Sequence, residues 1–184
     1  MIDITKSYNK LSRKMQAKSV AKAASFGLVF VLGSCADGSG IGQKGFQNQY
    51  AVARDALERG LYVRATENYA ELIPKSGPLA PRLKLEYSHA LLRAGKFSDA
   101  SAHSGALAQS LQGTARSAAL SVHGTAEHEL GLAAMAAGDR AAGKQHFLKA
   151  SSALGEMLAN DPQLDPLAAM AGRKSSIDTA LKSL

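Results

Sequence analysis

A chain of 184 residues has the length of one domain, since domains run to about 100–200 residues. With 46% apolar and 20% charged residues it belongs to neither the disordered nor the polytopic membrane class. Thirty-four alanines, no Trp, 5 Pro and 5% aromatics favour closely packed helices over strands built from aromatic and β-branched residues. The formal charge of +7 is uneven: residues 1–34 hold six Lys and Arg against Asp3, whereas the remainder carries 16 basic and 14 acidic side chains. No basic stripe suited to nucleic acid follows from that distribution.

In chain order, a basic stretch (Lys6, Lys10, Arg13, Lys14, Lys18, Lys22) precedes the uncharged run Ala23 to Ser34, whose apolar centre is FGLVFVLG. Cys35 and the polar, glycine-rich ADGSGIGQKG come next. Basic, apolar and small-residue regions in this order read as an export signal over residues 1–34. The apolar run is shorter than the about 20 residues that a membrane-crossing helix needs. Met15 would open a signal of more usual length. Leu32-Gly33-Ser34-Cys35 resembles the lipobox of bacterial lipoproteins. The resemblance implies that Cys35, the only cysteine, receives a lipid and becomes the first mature residue, with several acyl chains giving stable anchoring. Ala36 beside it implies the outer membrane, facing the periplasm. Residues 35–45, with Gly38, Gly40, Gly42 and Gly45, are expected to be a flexible linker.

From residue 46 to 164 the chain repeats itself. Gly60, Gly95 and Gly138 each follow one amphipathic pattern and precede another, in ALERGLYVRATENYAEL, LLRAGKFSDASAHSGAL and AMAAGDRAAGKQHFLKA. The first unit sets Val52, Ala53 and Ala56 before its glycine, then Tyr62, Ala65, Tyr69 and Leu72. The second has Tyr87, Ser88 and Leu91, then Phe97, Ala100, Ser104 and Leu107; the third has Leu130, Gly131 and Ala134, then Arg140, Gly143, Phe147 and Ala150. These units resemble tetratricopeptide repeats. The resemblance implies an all-α fold, an antiparallel helix-pair solenoid of about three repeats, with small residues where helices cross. The family's closing Pro is not at its usual place, although Pro74, Pro81 and Pro162 punctuate nearby. Glycine spacings of 35 and 43 place an insertion around SLQGTARSA. Residues 165–184 read as a capping helix, with Asp165 as N-cap and Pro166 as its first residue. An alanine-rich antiparallel bundle would share the apolar spacing but not three matched glycine registers.

No enzyme, metal site or cofactor is expected. His128-Glu129 in HELGL lacks the second histidine of a zinc pair, and His123 and His128 lie about 140° apart around a helix. There is no GxSxG and no phosphate-binding loop. The five histidines are read as solvated or partner-facing. The repeat resemblance instead implies a concave surface for a protein partner, carried by Tyr50, Arg54 and Leu57 in the first unit. Leu85, His89, Leu92 and Arg93 carry it in the second, and His128, Leu132 and Met135 in the third. The expected function is a membrane-anchored periplasmic scaffold for assembly of an envelope machine of pilus or secretion type. The layout is similar to that of the Flp/Tad pilus assembly lipoproteins. The expected partners are envelope proteins, and the membrane through the lipid, with no nucleic acid and no small-molecule substrate. The alternatives are a peptidoglycan-associated envelope protein and a periplasmic chaperone-like module; zero Trp and the lack of a carboxylate pair count against the first.

Overall fold

The computed structural model describes residues 40–184, so the export signal, the lipobox and Cys35 lie outside the described residues. Seven α-helices and no strand occur among them: α1 (Gly40–Glu58), α2 (Tyr62–Leu72), α3 (Ala80–Arg93), α4 (Phe97–Ser110), α5 (Gly113–Ala136), α6 (Arg140–Asn160) and α7 (Ala169–Lys182). Single 3₁₀ turns at Ile73–Lys75, Gly77–Leu79 and Pro162–Leu164 fill the longer connections. None of these helices is long and apolar enough to cross a membrane.

The three anchoring glycines stop helices in one way. At Gly60, Gly95 and Gly138 the backbone is left-handed, with φ of 77°, 75° and 82°. The N–H after each donates to the carbonyl five residues back: Leu61 to Ala56, Lys96 to Leu91 and Asp139 to Ala134. The glycine N–H itself reaches Leu57, Leu92 and Met135. That pair of bonds needs a positive φ, which a side chain disfavours, so the recurring glycine has a mechanical cause.

Sequence-adjacent helices then pack antiparallel. Tyr69 and Tyr62 of α2 bond Glu86 and Arg93 of α3. Ser101 of α4 meets Glu127 of α5, and the carbonyl of Ala108 takes a bond from Arg116. Along α5 and α6, a Cβ on Gly131 would lie 2.5 Å from Phe147, and one on Gly124 would lie 2.7 Å from Leu154. Arg116 pairs with Glu156 farther along. In α7, Asp178 and Lys174 face Ser151 and Gly155 of α6.

The core follows the same series. Ala53, Ala56, Ala65, Tyr69, Leu72, Leu83 and Ala90 form one cluster. Leu91, Ala100 and Ala126 join the second pair to α5. Leu107, Leu120 and Met157, then Phe147, Leu154 and Ile177, continue it to α7. Ala, Gly and Ser at the crossings let backbones approach closely, and ten of the 21 buried hydrophobic residues among those described are alanines.

Four expectations change. Val52, placed at a buried position, is 54% exposed; Ala53 and Ala56 fill the contact, and the next inward position is the half-buried Tyr50. The residues inserted around SLQGTARSA form the two-residue connection Leu111-Gln112 and lengthen the next helix, giving 24 residues in α5 against 14 each in α3 and α4. Helix α1 starts at Gly40, so the expected linker 35–45 overlaps it. Helix α7 starts at Ala169 rather than Pro166, because Asp165 to Ala168 form a turn closed by the Ala168 N–H on the Asp165 carbonyl, and Ala168 is left-handed with φ of 55°. Asp165 still caps it, accepting from the N–H groups of Met170 and Ala171 at 3.0 and 2.9 Å.

Candidate functional site

Helix α3 repeats polar side chains at Arg82, Glu86, His89 and Arg93, steps of four, three and four residues that keep them on one face. Glu86 is the anchor. Its carboxylate accepts from Tyr50 at 2.9 Å, Arg54 at 3.2 Å, Tyr69 at 2.8 Å and Arg82 at 3.1 Å, joining α1, α2 and α3. Only 12% of its side chain is exposed. Burial, then the bond to Glu86, pushes the Tyr69 phenol well above its ordinary range. The hydrogen bond to Glu58, reinforced by Glu86, raises Arg54 against the opposing effect of burial.

Beyond Glu86 the face opens into a groove. One cleft of about 330 Å³ is lined by Arg54, Leu57, Glu58, Tyr62, Glu86, His89 and Arg93. A second, of about 540 Å³, shares Tyr62, His89 and Arg93 and runs on to Leu92, Phe97, Val122, Glu129, Met170 and Arg173. Five helices therefore contribute to this second wall. Arg93 donates to the Tyr62 hydroxyl from Nη2 at 2.6 Å and from Nε at 3.2 Å, with its guanidinium carbon 5.0 Å from the ring centroid. His89 opens to the cleft, yet the surrounding walls and then the charges of Arg93 and Arg54 lower its pKa.

Arg54, Leu57, His89, Leu92 and Arg93, expected to face a partner, converge on this groove. The other five do not line it. Tyr50 bonds Glu86 and packs on the first core cluster. Leu85 packs against the Leu107 cluster, and Met135 against the Phe147 cluster, where its sulfur fills the space beside Gly143. Leu132 is exposed outside the clefts. His128 is covered by α7: Arg173 donates to its Nδ1 at 2.6 Å and to Glu129 at 2.8 Å, and Phe147 lies 5.8 Å away. The third unit diverges because its A-helix face is occupied by the helix that follows the repeats.

Sequence reasoning missed Tyr62, Phe97, Val122, Glu129, Met170 and Arg173 as groove residues. Tyr62 and Phe97 were placed inside helix pairs, and their position directly after the glycine turns was the available signal. Two histidines expected in solvent or facing a partner are instead tied inward. His123 donates from Nδ1 to the Ser101 carbonyl at 3.0 Å, and His146 bonds the buried Glu127 at 2.7 Å. Ser101 also donates to Glu127. Burial pushes that carboxyl up, but the bonds from Ser101 and His146, with Lys149 and His123 nearby, hold it below its ordinary value. Among the described residues no three His, Cys, Asp or Glu side chains are placed to hold a metal ion. Comparison of the chain with protein-family models, with curated proteins and with solved structures finds no match.

Proposed function

We propose that the chain is a non-enzymatic envelope lipoprotein whose helices form a tetratricopeptide-like stack of three pairs closed by α7, and whose groove docks a segment of a protein partner. In this reading it serves as a scaffold in assembly of a pilus- or secretion-type machine, held to the outer membrane by lipid on Cys35. The observation that carries it is the convergence of Arg54 and Leu57 from α1 with His89, Leu92 and Arg93 from α3 on one continuous groove. Guanidinium, aromatic and aliphatic groups side by side are the mixture that dominates protein contacts. The three identical glycine turns support the repeat reading.

A photo-crosslinking residue at Leu92 in the full chain, expressed in cells and followed by mass spectrometry, tests the groove. A defined adduct from Leu92 that is missing from the exposed Arg64 is expected. Arg93→Glu should reduce that adduct, whereas the pair Arg64→Glu with Lys144→Glu should leave it. Loss from the control pair alone would reject the groove. Arg54→Glu is a poor probe, because it would add a carboxylate beside Glu58 and Glu86 and confound folding with docking. Mass spectrometry of the native protein tests the anchor: the mature chain should begin at a lipid-modified Cys35, and an unmodified thiol would sink that part of the reading.

A further inference from the structure

The cleft contains three arginines, and two are already neutralised. Arg54 pairs with Glu58 and Glu86, and Arg173 pairs with Glu129. Arg93 has no carboxylate within ion-pair distance among the described residues, although it lies where the two clefts join. Tyr62 fixes it through two hydrogen bonds and the ring beneath, occupying Nε and one Nη2 proton and leaving the Nη1 edge of the guanidinium unused. A guanidinium oriented in advance loses less freedom when it pairs with a carboxylate. Leu92, Phe97, Val122 and Met170 supply apolar wall in the same cleft.

On the reading of the groove as a docking surface, we infer that Arg93 is an acid-reading subsite: the partner segment presents an Asp or Glu side chain to Arg93, flanked by aliphatic side chains that lie on the apolar wall. One unneutralised cation beside apolar surface suits a single carboxylate. A polyanion such as nucleic acid would need several cations along the groove. His89 stands beside Arg93 and is kept from protonation partly by that charge, so a bound carboxylate would also favour the protonated ring.

The test is an NMR titration of the ¹⁵N-labelled full chain, reading the Arg93 Nε–H signal, which is assigned by its disappearance in Arg93→Gln. The probes are acetyl-Leu-Glu-Leu-amide, its isostere acetyl-Leu-Gln-Leu-amide, and acetate. The Glu peptide should shift the signal saturably and bind about threefold to tenfold more tightly than the Gln peptide. In Arg93→Gln, followed through the backbone amides of Tyr62 and His89, that preference should vanish while circular dichroism stays unchanged. Tyr62→Phe should reduce the preference without abolishing it. Equal binding of the two peptides at the cleft overturns the acid-reading subsite and leaves the docking groove standing. A response to acetate as strong as to the Glu peptide overturns it too, since the apolar wall would then contribute nothing. No response to either peptide overturns the subsite and counts against the groove itself.

Discussion

Glu86 shows how much one side chain decides. It was not among the residues expected at the site, because a lone Glu between Leu85 and Tyr87 has no distinctive spacing; only folding brings Tyr50 and Tyr69 to it from two other helices. Glu86→Ala would leave the fully buried Tyr69 hydroxyl without its acceptor, and should cost about 2–3 kcal/mol in urea unfolding. Arg54→Ala removes only the 43%-exposed member of the same cluster and should cost less than about 1 kcal/mol. His128 gives a pH signature. Arg173 donates to its Nδ1, so the ring must be neutral there, and burial followed by Arg173 outweighs Glu129 in lowering its pKa below 6.5. The unfolded chain therefore takes up the proton first as pH falls. Stability should decline as pH drops through 6.5 toward the lower folded value, and His89 acts in the same direction. Thermal melts between about pH 7 and 5 should show a shallower decline in His128→Gln than in the wild type. Parallel slopes would mean that the Arg173 contact does not couple to this ring.

Among the helices, what was legible were the features that local chemistry sets. The glycine turns at Gly60, Gly95 and Gly138 need a backbone that only Gly adopts readily, so they mark the reversal inside each of the three helix pairs. Gly131 was expected at a crossing and lies against Phe147. Gly124, two turns earlier, has no counterpart in the repeat pattern, because it falls between the insertion around SLQGTARSA and Leu130, the first matched residue of the third unit. The groove was half legible: α1 and α3 follow the repeat register, but the covering of His128 by α7 depends on a helix outside the repeats. Gly131→Ala and Gly124→Ala both force a Cβ into a neighbouring side chain, and each should cost about 1–3 kcal/mol by thermal circular dichroism. Gly172→Ala, in α7 with nothing within 4 Å, should instead stabilise by about 0.5–1 kcal/mol. Ala168 precedes α7 with φ of 55°, so Ala168→Gly should relieve about 1 kcal/mol of left-handed strain. If Gly131→Ala and Gly172→Ala shifted the melt alike, the close α5–α6 crossing would be wrong.

Because each helix packs mainly on its neighbours in the chain, stability must be distributed unevenly along the series. The long pair α5 and α6 is the centre. It is glycine-permitted at two crossings, tied at one end by Arg116–Glu156, and closed by Asp161, which accepts from Thr114, Ser117 and Gln163. Helix α2 has 11 residues, and Val52 and Val63 remain exposed on the first pair. That pair is held to α3 by its alanine-rich core and by the Glu86 cluster, so it should open at lower free energy than the centre. Native-state hydrogen exchange should find the slowest amides in residues 119–131 and 147–157, with α1 and α2 faster. Glu86→Gln weakens four bonds that join α1, α2 and α3 but none in α5 or α6. It should therefore speed exchange in the first pair and leave the centre nearly unchanged. Equal loss of protection in all seven helices would show that the chain unfolds as one cooperative unit, and would overturn the nearest-neighbour description. The groove lies between the less stable first pair and the rigid centre, with Arg93 at the end of α3 and Val122 on α5. The same exchange experiment therefore locates the wall of the groove that is free to adjust when a partner segment enters.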